Sequence, residues 1–385
     1  MTDTAGFVTR YTYDDAGSLL TTADPTGATT RYTYDANRNI IAVTNALGHT
    51  TRMIYDAANR LKFMMDANGN RTEYCYDAED QLIRTIGPRG EVTDYTYDAQ
   101  GRLSAVKDPL GNVTRYAYDA AGRRISVTDA LGGTAAYEYD ANGNRIRMTD
   151  ARGNVTRYEY DARRQLVRTT FADGTSTAVT YDAAGQKVAE TDQAGRVTRF
   201  AYDANGRLLS VTDALGGVTR YAWDEVGNQI SQTDAAGRIT QFEYDRLGRR
   251  TRRILPNGAA EVMTYDAAGR MIARTDFAGR TTTFEYDLAD RLVRKNLPSG
   301  ASKVFTWTPD GLRKTAVDGR GVVTYEYDQR ARLVRQTEPD GRQIAYAYDA
   351  RGNRTAVTSP SGTTTCTYDA LNRLETVTDP DGGVT

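Results

Sequence analysis

Tyr118-Asp119-Ala120-Ala121-Gly122-Arg123-Arg124-Ile125-Ser126-Val127-Thr128-Asp129-Ala130-Leu131-Gly132-Gly133-Thr134-Ala135-Ala136-Tyr137-Glu138-Tyr139 runs from one landmark tyrosine to the next. It holds two Asp-x-x-Gly segments, Asp119 to Gly122 and Asp129 to Gly132. Asp favours the first position of a tight turn because its carboxylate accepts a nearby backbone N–H. Gly favours the fourth, where the chain turns left-handed into a bulge. Between the turns lie runs of six or seven residues rich in Thr, Tyr, Val, Ile and Arg, the length and composition of strands. Gly or Asp interrupts the chain too often for a helix to form.

The same unit fills the chain in both directions. Tyr-Asp recurs with a fixed, odd period from Tyr13-Asp14, Tyr34-Asp35 and Tyr55-Asp56 to Tyr202-Asp203, then continues through Trp223-Asp224 to Tyr286-Asp287. Trp307-Thr308 holds the next place in degenerate form, and Tyr327-Asp328, Tyr348-Asp349 and Tyr368-Asp369 complete 18 copies. The steps into Tyr327 and Tyr368 are each shorter by a single residue. Fourteen residues after each landmark aromatic stands a glycine, from Gly27 to Gly382, and no copy lacks it. A position that holds while its neighbours drift points to a backbone requirement, here a positive φ that Gly meets at least cost.

Self-similarity at a fixed period overrides the length-based expectation of two or three globular domains. The expected fold is all-β: residues 1–385 form one array of tandem hairpins in a long antiparallel meander of about 36 strands. Flat, it would be about 170 Å across at ~4.8 Å per strand. Open sheets of that size twist and curl, so a spiral or shell-like sheet is expected. In Tyr116-Ala117-Tyr118 and Phe242-Glu243-Tyr244 the aromatics alternate with polar residues, which puts a Tyr/Phe stripe on one face and a charged mixture on the other. Stacked copies would set Tyr beside Tyr and Arg beside Asp or Glu, each lateral pair contributing on the order of 0.2–1 kcal/mol. Such pairing can hold a sheet with no thick core.

Parity adds a sharper expectation. Side chains alternate faces with a period of two, and the repeat length is odd. With two three-residue loops per unit, successive Tyr stripes would land on opposite faces. One correction per unit is therefore required, an even loop or a β-bulge. The two shorter units, ending at Tyr327 and Tyr368, should show a local irregularity.

Composition narrows the function. The 49 basic and 50 acidic residues nearly cancel, so no bulk field draws in nucleic acid or an anionic membrane. No apolar run is long enough to span a bilayer and no signal-like segment opens the chain, so no membrane insertion is expected. Cys75 and Cys366 take places where other copies carry small or polar residues, and read as free thiols. Both ends fall inside a unit without a distinctive cap, so the chain is expected to be a piece of a larger polypeptide.

No catalytic, cofactor-binding or metal-binding residue is singled out. His49, the only histidine, follows turn residue Gly48 and reads as an exposed turn residue. One histidine cannot build a histidine triad or a multi-histidine metal cluster. The aspartates recur at the same turn positions, whereas a catalytic site should break the repeat. Each turn usually offers one carboxylate, while calcium takes six to eight oxygens. Tyr-plus-Arg surfaces could stack sugars, but lateral packing is the stronger reading.

The unit Gly-x-x-Thr-x-Tyr-x-Tyr-Asp-x-x-Gly-Arg resembles the Rhs/YD repeat. That family includes bacterial Rhs proteins, shell proteins of insecticidal toxin complexes, wall-associated proteins and teneurins. The resemblance covers essentially the whole chain. It implies a non-enzymatic spiral β-shell, from a bacterial Rhs-type polymorphic toxin, that encapsulates or scaffolds an attached C-terminal toxin or effector domain beside other shell segments. The alternative it implies is a cell-surface adhesion module with glycan partners. Either way the full-length protein would be secreted or at the cell surface. No Asp-Pro-x-Gly-Leu closing motif is present: Asp108-Pro109-Leu110-Gly111 and Asp379-Pro380-Asp381-Gly382 are ordinary second turns.

Overall fold

A computed structural model describes all residues, 1–385. It contains 36 strands and no helix. The first seven are β1 (Arg10–Tyr13), β2 (Leu19–Ala23), β3 (Thr29–Tyr34), β4 (Ile40–Thr44), β5 (Thr50–Tyr55), β6 (Leu61–Met65) and β7 (Arg71–Tyr76). The pattern repeats to Leu374–Thr378. Backbone contacts group the chain into two compact units. Unit 1 is residues 1–114, 264–274 and 280–385, and unit 2 is residues 115–263 and 275–279. Within each, consecutive strands pair antiparallel.

In all but the two shorter repeats, the two turns share one geometry. In the second turn Gly27 N–H donates to Asp24 O at 2.9 Å, and Asp24 N–H to Ala28 O at 3.0 Å. Gly27 sits at φ 87°, as the invariance of this position requires. The first turn makes the same bonds, Asp14 to Ser18 and Gly17 to Asp14. There a non-glycine residue holds the left-handed conformation in several copies, such as Asn59 at φ 62° and Asp80 at φ 65°. Both loops thus hold three residues, and the parity problem is real.

A bulge solves it. Tyr13 faces Leu19 and Thr12 faces Thr21, which leaves Leu20 without a partner. The same skip follows Tyr34, Tyr55, Tyr118, Tyr244 and Tyr327. The second-turn hairpins run without a break, as in Thr21 opposite Arg31. The lateral row from Thr12 therefore reaches Arg31 two strands on, while the next copy of Thr12 is Thr33. An offset of two residues keeps every Tyr stripe on one face; without the bulge the offset would be odd.

The two shorter repeats differ in one loop only. Asp318 pairs with Gly321 and Ser359 with Gly362, so two residues replace three in the second turn. Thr306, Thr315 and Thr324 still line up as Thr12, Thr21 and Arg31 do, and the two-residue offset to Glu326 survives. The expected irregularity is confined to the turn.

Only Met263 and Glu261, both on the strand Ala260–Tyr265, are buried. Stability rests on sheet pairing, as anticipated. One expectation fails. The lateral neighbours of the aromatics are not other tyrosines: Tyr32 lies opposite Val43, Tyr116 opposite Val127, and Tyr137 opposite Met148. The intervening strand and the two-residue offset separate successive aromatics. In unit 2, arginines bridge them. The Arg124 guanidinium lies 5.9 Å from the ring centres of both Tyr116 and Tyr137, and Arg145 lies 5.7 Å from Tyr137 and 4.8 Å from Tyr158. On the other face Arg does meet acid, as in Arg84 with Asp94 at 2.6 Å and Arg147 with Glu138 at 2.8 Å.

Candidate functional surfaces: repeat-to-repeat ties, turn edges and a seam

The bulge leaves a polar group that the next repeat takes up. The pairing of β4 with β5 spans Ala42 to Thr44 and does not reach Ile40. The Ile40 carbonyl instead accepts the Tyr55 Oη–H at 3.1 Å. The same bond, fifteen residues back, joins Tyr34 to Leu19 (2.8 Å), Tyr97 to Leu82 (2.8 Å), Tyr202 to Lys187 (2.9 Å) and Tyr286 to Met271 (2.9 Å). Burial pushes the phenols of Tyr76, Tyr97, Tyr160, Tyr244 and Tyr286 above their ordinary range. The Tyr of the Tyr-Asp pair is thus an aromatic that covers the sheet and also a donor that ties each repeat to the preceding strand. One signal for this lies in the sequence: the position holds Tyr or Trp, never Phe.

The first-turn edge carries a second tie. Asp56 Oδ1 accepts the N–H groups of Ala58 (2.9 Å) and Arg60 (3.0 Å), and Oδ2 accepts Arg60 Nε–H at 2.8 Å. The backbone bond from the Arg residue leads the causes that hold the carboxyls of Asp56, Asp98, Asp119 and Asp203 below the usual range. The other arm of the Arg60 guanidinium reaches the next repeat, donating to Asp77 O at 2.9 Å. Arg123, Arg270 and Arg332 repeat this reach to Asp140, Asp287 and Asp349. Arg291 makes it to Thr308 O, where the Asp is missing. The arginine after the left-handed residue of the first turn, whether that residue is Gly122, Asn59 or Ala331, is therefore an inter-repeat clamp.

Within unit 1, second turns of residues 1–114 meet first turns of residues 280–385. Arg89 pairs with Asp328 at 3.2 Å, Glu91 with Arg330 at 3.6 Å, and Asp108 with Arg351 at 2.7 Å. A cleft lined by Arg89, Glu91, Pro109 and Tyr348 follows the contact, and another is lined by Asn68, Asn70 and Trp307 to Asp310. The turn beginning at Gly87 faces the one beginning at Asp328, and the turn at Asp108 faces the one at Asp349. The two separations along the chain are identical, so the two edges run in register. Burial works to raise the Asp328 carboxyl, but the bonds from Arg332 outweigh it and the group sits below its usual range.

The residues weighed individually in the sequence lie in ordinary repeat positions. His49 is half-buried rather than exposed, and its backbone closes the turn with Asn45: its N–H donates to Asn45 Oδ1 and its carbonyl accepts from Asn45 N–H, each at 3.0 Å. Cys75 and Cys366 are half-buried free thiols. The turn carboxylates are occupied by turn N–H groups and by Arg or Asn, as in Asp35 with Asn39.

A family model described as Teneurin YD-shell matches residues 2–132 and 111–254. A second, described as RHS repeat, matches residues 264–302, 332–364 and 348–384. Among solved structures, the crystal structure of TcdB2-TccC3-Cdc42 superposes with a TM-score of 0.81 at 19% identity, over 95% of this chain and 24% of that one. TcdB2-TccC3 alone gives 0.81 at 20% identity, over 95% and 25%. The Photorhabdus luminescens Tc holotoxin pore gives 0.79 at 19% identity, over 95% and 24%. These likenesses establish a shared fold, and the chain spans about a quarter of the solved chains' length. No curated protein matches the sequence.

Proposed function

Since the chain belongs to the Rhs/YD-repeat family, with a Teneurin YD-shell match over most of its length, we propose that it is a non-enzymatic wall segment of a toxin shell. In this reading the turn edges of unit 1 close on each other, and the wall encloses or scaffolds an effector domain attached at its C-terminal side. The observation that carries the reading is the in-register seam of unit 1, where Arg351 and Asp108 join turns far apart in sequence. A surface built only to display side chains has no need for edges that fit each other. The fold shared with TcdB2-TccC3 supports the assignment. The full-length polypeptide would be secreted or surface-delivered, with other shell segments as neighbours.

Protease protection tests this. In the full-length polypeptide the C-terminal segment should resist a protease that digests the same segment expressed alone. Cleavage at equal rates in both settings would overturn the reading.

The arginine-bridged aromatics Tyr116, Tyr137 and Tyr158 favour a second reading, an adhesion surface for anionic glycans. Glycan-array binding that disappears on Arg124→Ala with Arg145→Ala would support it.

A further inference from the structure

A site should break the repeat, and one patch of unit 1 breaks it four times in contact. Ile54 stands where every other copy has Thr, Ala, Glu or Cys. Phe63 stands where the others have Thr, Ala, Ser or Arg, and Met65 where most have Thr. No other copy places Arg at the position of Arg71. Register brings these departures to one face of three adjacent strands. Ile54 lies opposite Phe63, and Phe63 opposite Glu73; two residues along, Arg52 lies opposite Met65, and Met65 opposite Arg71. Together with Ile41, Met53 and Tyr55 they line a cleft of about 520 Å³. That size falls within the range of ligand-binding clefts.

The chemistry is an apolar floor with a cationic rim. Ile54 is 53% exposed, more than lateral packing requires. The Arg71 guanidinium covers one side of the Phe63 ring at 3.8 Å, and its charge is met by Glu73 at 2.9 Å. The Lys62 ammonium lies 5.4 Å from the same ring. Asp35 at the rim is spent on its own turn and on Asn39. Arg52 lies in the same cross-strand row as Met65, exposed and with no carboxylate partner. The open charge at the cleft is therefore positive.

We propose that this cleft is a docking site for a polypeptide segment that presents a large apolar side chain next to a carboxylate. The apolar group covers Ile54, Phe63 and Met65, and the carboxylate pairs with Arg52. The site goes beyond a role in building a wall, since a wall needs only the repeat residues that the other copies carry.

The test uses the whole chain and labelled decapeptides in a Gly-Ser background carrying Phe-Glu, Phe-Lys or Ser-Glu. The Phe-Glu peptide should bind at least about fivefold more tightly than either control, because both halves of the contact are then made. Ile54→Thr with Phe63→Ala installs residues that other copies carry, so the fold and its thermal melt should persist while Phe-Glu binding falls by about fivefold or more. Arg52→Glu should turn the preference toward Phe-Lys, which keeps the proposal falsifiable if the apolar variants prove unstable. Equal binding of Phe-Glu and Phe-Lys, undiminished binding by the apolar double variant, or no peptide binding by the wild type would each overturn it. So would free naphthoate binding as tightly as the Phe-Glu peptide, which would assign the cleft to a small molecule.

Discussion

The indole Nε1–H of Trp223 donates to the carbonyl oxygen of Leu208 at 2.8 Å, the bond that a tyrosine hydroxyl makes in neighbouring repeats. Trp307 does the same to Leu292 at 3.0 Å. What the position demands is therefore a flat apolar body with a donor at its tip, whichever ring supplies it. Tyr244, bound to Gln229 O at 2.9 Å, tests this directly. Tyr244→Phe should cost about 1 kcal/mol, the worth of one such bond with its acceptor left unpaired. Tyr244→Trp should cost less. Hydrogen-exchange protection on the strands Gln229–Thr233 and Ile239–Tyr244 reads both, and equal losses would count against the donor's role.

Arg270 makes two separable contacts. Nε–H donates to Asp266 within the turn at 2.7 Å, and the other arm reaches Asp287 O at 3.0 Å and Asp290 at 2.8 Å in the next repeat. Asn fills this position at Asn228, holding Asp224 at 2.8 Å. Arg270→Asn should preserve the turn and loosen the link to the next repeat by about 1.5–3 kcal/mol, the range for a bond from a charged donor. Faster amide exchange after Tyr286 with unchanged exchange at Asp266 to Arg270 is the expected pattern.

Stability should fall at both ends of the pH scale, for opposite reasons. The phenols of Tyr244 and Tyr286 are raised by burial, so their contribution is complete below about pH 10 and is lost as pH climbs through the higher folded values. The turn carboxyls of Asp56 and Asp203 are lowered, chiefly by backbone N–H groups. Their contribution is present above about pH 4 and disappears as pH drops through the folded values. Tyrosinate absorbance should lag behind that of the unfolded chain in alkali, and circular dichroism should report loss of sheet in acid.

The two kinds of second turn should respond differently to a methyl group. Gly27 has φ +87° and open space around a built Cβ, so Gly27→Ala should cost about 1–2 kcal/mol, the left-handed penalty alone. Gly321 has φ +127°, and its Cβ would lie 2.8 Å from Pro339 Cβ, so Gly321→Ala should cost more. Paired urea titrations decide the order.

At the seam, Asp108→Ala and Arg351→Ala should show coupling of about 1 kcal/mol in a double-mutant cycle at low salt, weakening as salt rises. The pair lies at 2.7 Å with both side chains mostly covered. Additive effects would mean that the contact adds nothing to holding the edges together.

Much of this was legible in the residues alone. The turns are fixed locally, most often by Asp at the first position and by a residue tolerating positive φ at the fourth, always Gly in the second turn. The odd period compels a correction, since alternation of faces is a property of any strand, and the unpaired Leu20 supplies it. The patch at Phe63 emerged as a site only when register placed its four departures from the repeat on one face. The bond from Tyr55 to Ile40 was not legible, because it depends on which carbonyl the bulge releases. Nor was the ion pair of Arg351 with Asp108. Sequence determines which residues turn and which pair with near neighbours, since those forces act over a few positions. The meeting of Asp108 with Arg351, so distant along the chain, lies beyond the reach of local forces, and only the tertiary structure brings those two turns together.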